Sequence, residues 1–136
     1  MTPLISIVVP VFNEARTVAA VIERLIAIDL PAPREILVVN DGSTDGTREV
    51  LNQVTPRPEL RIIHAEKNGG KGSAIRIGFS QASGSIVAIQ DADLELDPAQ
   101  IADLVTPILA GKTRVVYGSR FLAGRPDAPL ISIVAT

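Results

Sequence analysis

The sequence contains no cysteine and no tryptophan, a single histidine, and four aromatics in all, three Phe and one Tyr among 136 residues. The absence of cysteine excludes a disulfide scaffold and any thiolate metal site, and it fits a reducing compartment. The lone His64 has no second imidazole with which to share a metal, so a hydrogen-bonded structural role is expected for it. With so few aromatics, the core has to be built from Val, Ile, Leu and Ala, which favours buried parallel strands covered by helices. Net charge is only −2, so there is no basic footprint and no nucleic-acid partner is expected. No apolar run reaches the ~18 residues of a membrane-spanning helix. The N-terminus has no basic region ahead of an apolar run and does not look like a secretory signal. Internal repeats, low-complexity stretches and linkers are also missing. What the chain does have is aliphatic: 46% of its residues are hydrophobic. That is enough to build one domain with a real core.

The apolar residues are grouped in alternating periods. Residues 4–10 read as a buried strand, and Val18, Val21, Ile22, Leu25 and Ile28 fall at helical spacing over residues 15–28, with Asn13 as the expected N-cap. Pro31 and Pro33 end that helix and residues 35–39 form a second strand. Ser43 or Thr44 is expected to cap the next helix, which turns Val50, Leu51 and Val54 inward. After Pro56 and Pro58, residues 60–64 form a third strand. Asn68-Gly69-Gly70-Lys71-Gly72 opens a helix with Ala74, Ile75, Gly78, Phe79 and Ala82 on one side, closed by Gly84 as its C′ residue. Residues 85–89 are the fourth strand. Asp97, Pro98 and Gln100 make a helix start, followed by Ile101, Leu104, Val105, Ile108 and Leu109 on a buried face, with a kink expected at Pro107. Gly111 ends it, and residues 114–117 form a fifth strand. The apolar run over 130–136 reads as an edge strand, a helix start, or the sign of a longer parent. The expectation is one domain over 1–136, truncated at its C-terminus.

This alternation predicts an α/β fold, a three-layer, Rossmann-like α/β/α arrangement with a mostly parallel sheet. Such sheets bind ligands beyond the carboxyl ends of their strands. The loops at 11–14, 40–46, 66–72 and 90–97 should therefore gather at one rim.

The chemistry centres on Gln90-Asp91-Ala92-Asp93-Leu94-Glu95, three carboxylates at the mouth of a buried strand. Mg²⁺ typically takes one or two carboxylates together with substrate phosphates. An acidic turn is the plainer alternative. Lys71 is followed by Gly72, so this is not a P-loop, and Gly70-x-Gly72-x-x-Ile75 lacks the third glycine of a dinucleotide fingerprint. A glycine-rich, lysine-bearing helix start remains, whose free N–H groups favour an anion. Asp41 can accept from a base or ribose, or close an Asx turn on its own backbone. Glu14 and Asp45 can serve a helix dipole, and Arg120 has the fork that suits phosphate.

Five segments then occur in order: Pro10-Val11-Phe12-Asn13-Glu14, residues 39–47, residues 68–74, Asp91-Ala92-Asp93-Leu94 and Tyr117-Gly118-Ser119-Arg120-Phe121. Together they resemble glycosyltransferase family 2, inverting enzymes of the GT-A fold. Within that family the chain looks most like dolichyl-phosphate mannose synthases and bacterial polyprenyl-phosphate glycosyltransferases. The resemblance spans residues 4–125. It implies that Pro10, Phe12, Glu14, Val39 and Asp41 hold the base and ribose of a nucleotide sugar, GDP-mannose or a UDP-sugar. It places Lys71 near the diphosphate, Asp91 and Ala92 near sugar and ribose, and Arg120 near the phosphates or acceptor. Asp93 becomes the metal aspartate, Glu95 a second ligand, and Mg²⁺ or Mn²⁺ the cofactor. Asp91, Asp93 and Arg120 are the residues expected to carry catalysis. The acceptor is expected to be a lipid phosphate, polyprenyl or dolichyl, or else a sugar hydroxyl. A phosphate is already anionic, whereas a hydroxyl needs a general base. The family usually places that base beyond the Gly-Ser-Arg segment, where this chain ends. A cytoplasmic location is implied, with peripheral association at the cytoplasmic face of a membrane. Two alternatives stand beside this reading: a nucleotide-sugar-binding module without turnover, and a metal-dependent nucleotidyltransferase.

Overall fold

The computed structural model describes residues 4–92, 100–109, 115–119 and 130–135. The chain alternates strand and helix: β1 (Ile5–Val11), α1 (Val18–Ala27), β2 (Arg34–Asp41), α2 (Thr47–Asn52), β3 (Leu60–Ala65), α3 (Lys71–Gln81), β4 (Ile86–Ile89), α4 (Gln100–Leu109), β5 (Val115–Ser119) and β6 (Leu130–Ala135). One six-stranded sheet runs in the order β3-β2-β1-β4-β6-β5. Its first four members are parallel, with Pro10 opposite Val39 and Asp41 opposite Ala65. β6 is antiparallel to both β4 and β5.

The C-terminal apolar run is therefore an interior strand, not an edge or a helix start. Its sequence, aliphatic except for Ser132, suits a strand with neighbours on both sides.

Side chains alternate across the sheet. Ile5, Ile7, Val9 and Val11 of β1, Ile36 and Val38 of β2, and Ile86 and Ala88 of β4 meet Val18, Val21, Ile22 and Leu25 of α1. Leu51 of α2 and Ile101 and Val105 of α4 join that cluster. On the opposite face, Val8, Leu37 and Val87 form a smaller cluster with Ala82. α3 lies on this side, so close that a Cβ at Gly78 would sit 2.4 Å from Val8 Cγ1. Helices thus cover both faces, which is the three-layer arrangement expected.

Several helix ends differ from expectation because polar side chains serve neighbouring loops. The N-cap position of α1 is Thr17, not Asn13, and that of α2 is Gly46, not Ser43 or Thr44. At the end of α1, Arg34 Nη1 donates to the Leu25 carbonyl at 2.6 Å, covering one of the carbonyls a helix leaves open. α3 ends at Ala82 in extended conformation, so Gly84 is not its C′ residue. Gly84 is small for another reason: its N–H donates to Ser6 Oγ at 2.8 Å, and a Cβ there would lie 2.4 Å from the Leu4 carbonyl oxygen. Glu35 Oε2 ties the same corner by accepting from Ser6 Oγ at 2.5 Å and from Ser83 N at 2.6 Å. The proposed Asp97-Pro98 helix start lies outside the described residues, and α4 continues past Pro107 to Leu109. No helix among the described residues is long and apolar enough to cross a membrane.

Candidate functional site at the carboxyl rim of the sheet

Because β1 to β4 are parallel, their carboxyl ends bring four loops together. The first two are joined by Asn13. This residue has φ +54°, a region in which Asn is several-fold enriched. Its Oδ1 accepts from Thr44 N at 2.8 Å and Asp45 N at 3.2 Å, while its own N–H donates to Ser43 Oγ at 3.0 Å. Glu14 N–H donates to Thr47 Oγ1 at 3.0 Å. Asp45 Oδ1 accepts from Thr47 N at 2.9 Å and from the Thr47 hydroxyl. The Thr47 hydroxyl is the main reason the Asp45 carboxyl is held below its usual range. Asp45 is thus a structural carboxylate at the start of α2.

A polar chain continues inward. Ser43 Oγ donates to Asn40 Oδ1 at 2.5 Å, and Asn40 Nδ2 lies 3.1 Å from His64 Nδ1. With Asn40 Oδ1 taken by Ser43, the amide nitrogen donates and His64 Nδ1 accepts, which requires a neutral ring. Burial first, then the Arg48 charge, lowers the His64 pKa below its ordinary value of 6.5. The sign follows by linkage. A folded-state pKa below the unfolded one gives stability that is present above pH 6.5 and is lost as pH falls through the folded value. The urea midpoint is therefore expected to drop as pH falls from about 7.5 to 5.5, where His is the side chain that ordinarily titrates. His64→Gln should flatten that part of the curve, and parallel curves for the two proteins would refute this assignment.

The second and third loops stack through Gly42. It has φ +67°, and a Cβ there would meet Asn68 N at 2.5 Å. This contact brings the glycine-rich turn onto Asp41, which is 3% exposed. Asp41 Oδ1 accepts from Gly69 N and Oδ2 from Gly70 N, each at 2.9 Å. These are the N–H groups read from the sequence as a seat for an external anion. The anion they hold is the chain's own carboxylate, donated from the end of β2 to the start of α3, and Asp41 does not close a local Asx turn.

Lys71, the first residue of α3, reaches the acidic stretch. Its Nζ lies 2.5 Å from Asp91 Oδ1, with 55% of the lysine side chain and 11% of the aspartate side chain exposed. Asp91 Oδ2 is buried and has no hydrogen-bond partner among the described residues. From the other side, Thr17 Oγ1 donates to the Ala92 carbonyl at 2.5 Å. Asp41, Lys71 and Asp91 thus share one rim, as the alternation of elements predicts.

The other residues singled out from the sequence are placed unevenly. Phe12 is 45% exposed beside Asn13, and Glu14 is half-buried. Pro10 and Val39 are cross-strand partners and both are buried, beneath the rim. Ala92 is 3% exposed. Asp93, Glu95 and Arg120 lie outside the described residues. Among the described residues no group of three or more His, Asp or Glu could hold a metal. Asp91 Oδ2, buried and without a hydrogen-bond partner among the described residues, fits a nearby cation or donor hydroxyl. Asn13, Thr17, Asn40 and Ser43 were not read as site residues. Thr17 did carry a signal, since a threonine just before the first apolar-periodic residue is an N-cap candidate, but its partner is 75 residues away.

This geometry has parallels among known proteins. Residues 6–130 match the profile described as Glycosyl transferase family 2. The undecaprenyl-phosphate 4-deoxy-4-formamido-L-arabinose transferase of Pectobacterium carotovorum subsp. carotovorum (strain PC1) is 41% identical over 105 residues, 74% of this chain and 32% of the relative. The chain therefore spans about a third of the length of that relative. Among solved structures, a mannosyltransferase of Pyrobaculum calidifontis in complex with GDP-Man and Mn²⁺ is 29% identical, with a TM-score of 0.62 over 68% of this chain and 28% of that one. The glucosyl-3-phosphoglycerate synthase of Mycobacterium tuberculosis, in complex with Mn²⁺, UDP and glucosyl-3-phosphoglycerate, is 28% identical, with a TM-score of 0.68 over 83% of this chain and 42% of that one. With this match over nearly its whole length, and with the rim just described, the chain belongs to glycosyl transferase family 2 and has the GT-A fold.

Proposed function

We propose that this chain is the donor-binding part of an inverting glycosyltransferase that moves a sugar from a nucleoside diphosphate sugar to a polyprenyl phosphate. The observation that carries the reading is Asp91, held at the rim by Lys71 with its second oxygen buried and unpartnered among the described residues. In this reading Phe12, Glu14 and Asp41 hold the base and ribose, together with Pro10 and Val39. Lys71 and Arg120 are suited to the diphosphate, and Asp91 with Ala92 to the sugar. Asp93 and Glu95 would hold Mg²⁺ or Mn²⁺, which when bound supplies a Lewis acid for the charge of the leaving diphosphate. The solved relatives that hold Mn²⁺ with GDP-Man or with UDP support this choice of cofactor. The name of the undecaprenyl-phosphate relative supports a lipid-phosphate acceptor. Such an acceptor is anionic already and asks the protein for no general base. It also brings the protein to a membrane surface, by peripheral association at the cytoplasmic face.

The test is a thermal melt with Mn²⁺ and a panel of nucleoside diphosphates. The matching one, at a hundredfold excess over its Kd, is expected to stabilise the chain by about 2.7 kcal/mol. If no nucleoside diphosphate shifts the curve, the reading is wrong.

A further inference from the structure

Thr17 stands at the N-cap position of α1, where a threonine ordinarily offers its oxygen to a free N–H of the first turn. It makes no such bond. The hydroxyl donates at 2.5 Å to the carbonyl of Ala92, with Glu14 Oε2 at 3.3 Å. A hydroxyl has one proton to give, and the shorter contact takes it. Ala92 is 3% exposed and lies between Asp91 and Asp93. Its carbonyl belongs to the same rigid peptide unit as the nitrogen of Asp93. Holding that oxygen therefore fixes the plane from which the chain proceeds to Asp93. Lys71 grips Asp91 at the same turn. Asp91 and the Ala92 carbonyl are thus each held by a side chain from the start of another helix, Lys71 at α3 and Thr17 at α1.

We propose that Thr17 is a positioning residue for the acidic stretch, its hydroxyl setting the peptide plane that carries Asp93 and thereby the affinity of the site for a divalent cation. The inference rests on the donor-binding reading above. It adds a residue that touches neither donor nor metal and acts through the main chain. Partners of this outer kind typically change metal affinity by about 10–100-fold when removed.

The test compares wild type with Thr17→Val, which keeps the shape and deletes the donor, and Thr17→Ser, which restores it. Thr17→Ala is run beside them, because a methyl cannot clash at this turn. Folding is checked by circular dichroism, and Mn²⁺ is titrated calorimetrically in the presence of saturating UDP or GDP. Thr17→Val and Thr17→Ala are expected to raise the Mn²⁺ requirement by about tenfold or more. Thr17→Ser should stay near wild type, and metal-free nucleotide binding should be equal in all four. A wild-type Mn²⁺ requirement in both hydroxyl-free variants would overturn the inference and leave the donor-binding reading standing. Failure of Thr17→Ser to recover would overturn it as well, by assigning the effect to packing. Failure of wild type itself to bind nucleotide or Mn²⁺ would remove the donor-binding reading, and the role of Thr17 with it.

Discussion

Asp41→Ala is expected to lower the stability of the chain by about 2–3 kcal/mol and to abolish donor binding, the larger of the two losses being functional. The carboxylate is nearly buried and each of its oxygens takes one N–H, from Gly69 and from Gly70. A hydrogen bond to a charged group contributes ~1.5–3 kcal/mol, and a carboxylate at a helix N-terminus gains further from the dipole. The two bonds do not add in full, because Gly69 is exposed and water can reach its N–H once the carboxylate is gone. The loss therefore falls near the value of one strong bond. Asp41→Asn should be milder, since an amide oxygen still accepts one N–H while its NH₂ group faces the other. Donor binding falls further because the glycine turn also sets Lys71, the next residue, against Asp91. Urea unfolding and nucleotide calorimetry read the two effects separately. An Asp41→Ala chain that unfolds at the wild-type midpoint would show that the glycine turn keeps its shape without the carboxylate.

The same residue shows what the sequence could and could not reveal. The strands β1 to β4 are legible because each is dominated by Val, Ile, Leu and Ala, and the burial of β1, β2 and β4 follows from that composition, whereas β3, which carries Arg61 and His64, is only partly buried. The rim follows in turn, because parallel strands put every following loop on one side. Partners were not legible. Asn13, Ser43 and Thr44 carry side chains typical of caps, but in the fold they bond to one another across two loops. The one local reading of Asp41 was an Asx turn, and its carboxylate bonds 28 and 29 residues away. Gly84 follows a helix, as a C′ glycine does, yet it is small because β1 passes beside it. Each of these errors replaces a distant partner with a near one, since a local pattern constrains a residue's type and not the loop that will stand opposite. The interior position of β6 was hidden for a related reason. An apolar run names a strand, but its neighbours in the sheet depend on the path of the chain through residues that carry no regular period.

Asp93→Asn is expected to reduce metal-dependent donor affinity by about a hundredfold or more, equivalent to roughly 2.7 kcal/mol, with the melting temperature of the free chain unchanged or slightly raised. Mg²⁺ and Mn²⁺ prefer charged oxygen ligands, and a nucleoside diphosphate fills only part of their shell. Loss of one of the few protein carboxylates is then felt directly. Free-chain stability moves the other way, because Asp91, Asp93 and Glu95 are like charges within five residues and removal of one relieves their repulsion. Asp91→Asn is expected to act differently. It gives Lys71 a neutral partner in place of an anion and takes a charge from a buried oxygen that has no partner among the described residues. It should cost donor sugar affinity more than metal affinity. Glu95→Gln should be the mildest of the three, because an amide oxygen can still coordinate. Calorimetric titration of Mn²⁺, alone and with the donor, against wild type and the three variants separates these outcomes. If Asp93→Asn takes up Mn²⁺ and donor as wild type does, Asp93 is no metal ligand, and the stretch after β4 is an acidic turn held in place by Lys71 and Thr17.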